Sequence, residues 1–373
     1  MSKRSKTRIG IIAAVIVILV CLCVVFVLPA RNHKANHEVL TQAYENLLEV
    51  SGLEGERKSQ ICYGSPEGIM AQESVIVRQT EEPFAILGTM TMETWDAADS
   101  NREKSKTKLD FYCEGNRDKS LHTYMRGKNT ELGEEWIDYG KTDTRIETIA
   151  ASYYREPASC GNFDMLGNLR QCMKAALKSE SITRNGNEYS VAMPNDRELI
   201  CAIAVNQGLQ NILASNGMNF DDLLSADESK MGEIAESIGL VIGINEDTML
   251  PSAYKLDFSK TLEIMPGLFE TESDNLGSLE INAVLKDYSA VSELDYTNYG
   301  GEEAFRKALA NAKTENEVYE QLVKKEYHLK LESWDFLLSQ KDGSLSQETL
   351  DRLAEMIEPE ISMGNNASAC NPN

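Results

Sequence analysis

Four histidines, eight cysteines and a surplus of carboxylates are the chemistry-bearing residues of this sequence. His33 and His37 are one helical turn apart, the spacing of a metal pair, but a site needs a third ligand and none lies near them. They read as solvated. His122 falls in strand-like sequence and reads as hydrogen-bonded or solvated, and His328 belongs to no motif. Ser252-Ala253-Tyr254-Lys255 matches S-x-x-K, and Ser273-Asp274-Asn275 matches S-D-N, two signatures of penicillin-binding enzymes. That nucleophile opens a helix, whereas Ser252 follows Pro251 in alternating, strand-like sequence, and no K-T-G follows. Gly343 as the sixth residue of a calcium loop would put Leu338 first and Thr349 last, and neither is a carboxylate. Acidic pairs such as Asp221-Asp222 and Glu302-Glu303 read as solvated faces. The sequence therefore predicts a non-catalytic protein with no cofactor and no metal site.

Two sets of residues remain as binding or cross-linking candidates. Tyr124, Trp136 and Tyr139 could line a ligand groove, or pack on the face of a sheet. Outside the N-terminal apolar stretch lie Cys62, Cys113, Cys160, Cys172, Cys201 and Cys370, none in a C-x-x-C pair. Cys160 and Cys172 are the closest of these in sequence and are the disulfide candidates.

The elements that must position these residues begin at a membrane. Ile9 to Leu28 carries no charge, and Lys3, Arg4, Lys6 and Arg8 precede it. At about 1.5 Å per residue such a helix crosses a hydrocarbon core of about 30 Å. The basic tail predicts residues 1–8 in the cytoplasm, a transmembrane anchor over 9–28 and residues 31–373 outside the cell membrane. A cleaved signal peptide and a lipid-modified Cys21 or Cys23 are the alternatives. The chain has 37 Lys and Arg against 59 Asp and Glu, a net charge of −22. That balance argues against nucleic acid as a partner, because phosphates require a cationic surface.

Val39, Leu40, Ala43, Leu47 and Leu48 recur at helical spacing and predict a juxtamembrane helix over 31–60, closed by Gly52 and Gly55. Strand patterns follow at 74–77, 84–95, 107–113, 121–126 and 135–139. Leu166, Leu169, Met173 and Leu177 mark a helix over 164–179. Asn185-Gly186 marks a hairpin turn, since both central residues need positive φ. Asn195 or Asp196 can cap the next helix, and 219–238 is helix-rich. Strands return at 240–244, 253–258 and 279–291. Together these predict an α+β domain over 61–297, an antiparallel sheet packed on helices. A helical extension is expected over 298–362 and a disordered tail over 363–373. Whether helices fill the apolar sheet face or leave a cavity stays open at this level.

Three stretches carry a family likeness: Tyr124-Met125-Arg126 with Glu135 to Tyr139, Ile242 to Pro251, and Ile281 to Tyr288 with Leu294-Asp295-Tyr296. Over roughly 40–297 the chain resembles the half-barrel family of bacterial envelope lipoproteins and lipoprotein carriers (LolA/LppX-like, including Gram-positive members). The resemblance implies a half-barrel whose concave face holds a lipid or a lipoprotein acyl chain. An uncleaved anchor and the extension past residue 300 depart from that family's pattern. They leave a second expectation, an envelope scaffold that docks a protein partner through its C-terminal helices.

Overall fold

The structure, a computed structural model, describes residues 28–63, 68–98, 104–116, 120–128, 135–143, 163–216, 218, 220–271, 276–288, 293–314 and 317. The expected anchor over 9–28 and the tail over 363–373 lie outside these residues, apart from Leu28. Among the described residues no helix is long and apolar enough to cross a membrane. The described compact unit runs to Thr314, and the expected helical extension lies outside the described residues beyond it, apart from Glu317.

Chain order is α1 Leu28–Leu48, β1 Gly52–Tyr63, β2 Ile69–Glu81, β3 Phe84–Asp96, β4 Ser105–Asn116, β5 Ser120–Lys128, β6 Ile137–Asp143 and α2 Met165–Lys178. There follow β7 Ile182–Asn185, β8 Glu188–Ala192, α3 Arg197–Asn206, α4 Leu209–Ser215, α5 Phe220–Ser225, α6 Glu228–Ser237, β9 Gly239–Asn245 and β10 Leu250–Asp257. Then come α7 Ser259–Phe269, β11 Gly277–Asp287, a 3-10 turn Thr297–Tyr299, α8 Glu302–Ala310 and β12 Lys313–Thr314.

The strands form one open, curved 12-stranded sheet in the order β12-β6-β5-β4-β3-β2-β1-β11-β10-β9-β8-β7. The α+β class expected from sequence is the class observed, with one correction. The sheet is mixed rather than purely antiparallel, because β12 runs parallel to β6 through Lys313 and Thr314. A two-residue strand after a helix has no alternation long enough to be read in sequence.

The helix expected over 31–60 stops at Leu48, and 52–60 belongs to β1. In β1 the period is two. Leu53, Gly55, Arg57 and Ser59 are buried, while Glu54, Glu56, Lys58 and Gln60 face the other way and stay wholly or partly exposed. Arg57 and Ser59 among the buried set disguised that alternation. The hairpin between β7 and β8 forms where the sequence places it, with one correction: its two turn residues are Gly186 and Asn187, Asn185 ends β7 opposite Glu188, and of these three only Gly186 takes positive φ, at +61.

Helices α1–α7 cover one face of the sheet, here the helical face, and α8 packs on the other. Leu40, Ala43 and Leu47 of α1, Leu166, Leu169 and Met173 of α2, and Ile200 and Ile203 of α3 are all buried. They share a core with Val75, Val77, Ile86 and Phe111 from the central strands and with Leu240, Ile242, Leu256, Ile281 and Ala283 from β9–β11. His37, expected to be solvated, is half-buried, and its Nε2 lies 3.0 Å from the Leu177 carbonyl, tying α1 to α2.

Capping ends the local account. The Asp196 carboxylate accepts from Leu199 N at 3.1 Å at the start of α3 and pairs with Lys178 of α2. The Lys178 hydrogen bond is the main cause of a depressed Asp196 pKa. A depressed carboxylate pKa contributes stability above the unfolded value and loses it as pH falls through the folded one. Asp196→Ala should lower unfolding free energy by about 1 kcal/mol at neutral pH. In urea titrations that difference should disappear as pH falls through and below the ordinary aspartate range of about 3.9. A difference that persists undiminished at pH 2 would mean the side chain acts by packing instead.

Candidate functional site

Among the described residues the helical face of the sheet is fully buried at one end and partly buried at the other. Cross-strand register shows where one regime gives way to the other. Gly55, Val77, Gly88 and Phe111 are mutual partners in one row, and all four are buried. Phe163 stacks on Phe111 with ring centroids 3.8 Å apart. Gly88 is required there, because a Cβ would sit 2.5 Å from both the Ile76 carbonyl oxygen and the Phe111 ring.

The next row reads Arg57, Val75, Met90, Leu109, and the row beyond it Ser59, Glu73, Met92, Thr107. Met90, Met92, Leu109 and, one row back on β5, Met125 are only half-buried, as are Ile61 and Tyr63 at the far end of β1. This is an apolar floor of flexible, polarizable side chains that adapt to irregular shapes. At its border Arg57 forms an ion pair with Glu73, diagonal neighbours on the same face. Arg57 is only 3% exposed and Glu73 12%. Sequence reasoning passed over this floor because it followed Ala85, Leu87, Thr89 and Thr91 along β3. The signal was in the complementary parity, Ile86, Met90 and Met92.

The aromatic candidates lie elsewhere. Tyr124 and Trp136 belong to a second, smaller core on the face opposite the helices, with Ala85, Leu87, Tyr112, Phe305 and Leu309. Phe305 of α8 is the centre of this core. Its ring meets Tyr112 edge-on at 5.1 Å and Trp136 at 5.5 Å, with Tyr296 and Tyr299 at 4.9 and 5.2 Å. Tyr139 is half-buried on β6.

A polar rim surrounds that core. The Tyr112 hydroxyl donates to Glu114 at 2.6 Å, and Arg306 donates to Tyr112 at 2.8 Å and to Glu114 at 3.0 Å. Burial first, then the adjacent Glu114 carboxylate, raises the Tyr112 pKa, so it acts as a neutral hydrogen-bonding phenol. Arg126 pairs with buried Asp110 and lies 5.1 Å from the Trp136 ring centre. His122 Nε2 is 2.6 Å from Asp138 Oδ1, and its ring stacks on Tyr124 at 4.5 Å. Arg306, through Tyr112 and Glu114, and Arg78, through the Glu293 carbonyl, fasten the segment 293–314 to the sheet, while the Arg126 and His122 pairs join its strands to one another. Among the described residues no cluster of His, Cys, Asp and Glu could hold a metal ion.

Of the disulfide candidates, Cys160 lies outside the described residues. Cys172 is a free thiol, fully buried in α2. Burial pushes its pKa up to about 12. A thiol reacts as its thiolate, so Cys172 should resist alkylation in the native protein at pH 8 and react once the chain is unfolded. Peptide mapping after iodoacetamide treatment reads this directly, and labelling of native Cys172 would place it on a mobile surface instead.

Comparison with protein-family models finds no match to this chain, and comparison with curated proteins finds none either.

Proposed function

We propose that this chain is a non-catalytic, membrane-anchored envelope protein that holds a hydrophobic or amphipathic ligand, a lipid or lipoprotein acyl chain, on its helical face. The observation that carries the reading is the half-buried floor of Ile61, Tyr63, Met90, Met92, Leu109 and Met125 beside a fully packed end. An apolar sheet face gains stability when it is covered, at about 25 cal/mol per Å² removed from water. Helices supply that cover at one end and leave the floor for a ligand at the other. The resemblance to half-barrel lipid and lipoprotein carriers supports the same reading, as does a sequence that places the domain next to a membrane. A tethered domain captures ligands locally and does not shuttle them.

Residues 31–373 purified without detergent and extracted for lipid mass spectrometry should carry lipid in stoichiometric amount. Replacing Met90 and Met92 with Gln should remove most of it. A lipid-free protein with the fold intact would overturn the reading.

A second reading, an envelope scaffold that docks a protein through its C-terminal residues, is favoured by the fastening of 293–314. The aromatic core and β12 fix where the chain leaves the sheet. Removing 300–373 would strip Phe305 from Tyr112 and Trp136, so the discriminating truncation removes 315–373 only. Loss of a partner with lipid retained would favour the scaffold.

A further inference from the structure

The sulfur atoms of this protein divide by depth. Four cysteines are described, Cys62, Cys113, Cys172 and Cys201, and all are buried. A thiol reduces a peroxide as its thiolate, and burial works against that form. It raises the pKa of Cys62, pushes that of Cys201 up to about 11 and that of Cys172 up to about 12. A thioether has no proton to lose, so its reaction with peroxide depends on access rather than on ionisation. Met165, Met173, Met231 and Met265 lie in the helical core, none more than 2% exposed. Met90, Met92 and Met125 are half-buried instead, and register puts all three on the helical face with Leu109. Met90 and Met92 are about 7 Å apart along β3, two residues of strand rise. Met70 and Met249 are half-buried too, but Met70 pairs with Trp95 on the opposite face and Met249 lies in the turn between β9 and β10.

We propose that Met90, Met92 and Met125 form an oxidation site, at which hydrogen peroxide converts the thioethers to sulfoxides and the floor then releases its ligand. The release rests on the ligand-holding reading above, whereas the site itself rests on burial and register. In each step a sulfur lone pair attacks one peroxide oxygen, an S–O bond forms and the O–O bond breaks. The departing hydroxide takes the proton of the transferred oxygen and leaves as water. Sulfur loses two electrons and the peroxide gains them. A sulfoxide is polar where the thioether was apolar. On the floor it sets a strong acceptor against an acyl chain that offers no donor, so covering it carries a desolvation cost that the thioether avoids. The buried methionines keep the helical core out of the reaction.

The test treats the full chain, in detergent, with hydrogen peroxide, maps the sulfoxides by peptide mass spectrometry and titrates the product with monooleoylglycerol by native mass spectrometry. Met90, Met92 and Met125 should take up oxygen well before Met165, Met173, Met231 and Met265. Affinity for monooleoylglycerol should then fall by about tenfold or more. Met90→Leu with Met92→Leu and Met125→Leu, a change that nearly conserves volume, should bind as the original does and keep its affinity after peroxide. This variant retains Met70 and Met249, so a loss that persists in it would overturn the assignment to the floor. Floor and core methionines oxidised alike, or an oxidised floor with unchanged affinity, would overturn the proposal while leaving the ligand-holding reading in place. An untreated chain that binds no monooleoylglycerol would overturn that reading and the release together, with the sulfoxide map still deciding the site.

Discussion

Phe305→Ala should release the segment 293–314 from the sheet while the main fold survives. Phe305 is 1% exposed and touches four aromatic rings, so truncation to alanine removes a large buried side chain at a cost of about 3–5 kcal/mol. What else holds the segment is modest: Arg306 on Tyr112 and Glu114, Leu309, the Lys313 N–H on the Trp136 carbonyl at 3.2 Å, and the Lys313–Glu135 pair. Exposed ion pairs contribute about 1 kcal/mol or less each. Local opening can therefore precede global unfolding. Hydrogen exchange should show amides of 302–310 losing protection while those of β1, β2 and β11 keep theirs. Tyr112→Phe, which removes only the hydroxyl bonded to Glu114 and Arg306, should cost closer to 1 kcal/mol. Protection lost evenly across the sheet in Phe305→Ala would show that segment and sheet unfold as one unit.

That satellite core also shows what could be read in the sequence and what could not. Period-two patterns located most strands, and Asn185-Gly186 gave the β7–β8 hairpin, because those signals act within a few residues. Asp196 capped α3 for the same reason. Tyr124 and Trp136 could be picked out as aromatic residues with a place to fill. Their partner Phe305 lies far along the chain, and nothing local says which distant helix will cover a sheet face. The parallel pairing of β12 with β6 is likewise a product of that docking. The open floor was hidden for another reason. Its residues are as apolar as the packed ones, and how deeply a sheet residue is covered is a tertiary quantity.

The Arg57–Glu73 pair is where burial and charge conflict most, and Arg57→Ala should be among the most destabilising single changes in the protein. The pair sits on the helical face next to Val75, with Arg57 more buried than its partner. Removing the guanidinium leaves a carboxylate, only 12% exposed, without that counter-ion on an apolar face. Breaking a buried pair from one side costs about 3–5 kcal/mol, whereas replacing both members with apolar side chains of similar volume is often neutral or stabilising. Arg57→Met with Glu73→Met should therefore recover most of what either single change loses. The coupling between the two positions should exceed 1 kcal/mol in a double-mutant cycle from urea denaturation. A loss below 1 kcal/mol in Arg57→Ala would mean that water reaches Glu73, and that the border of the half-buried floor is wetter than its packing implies.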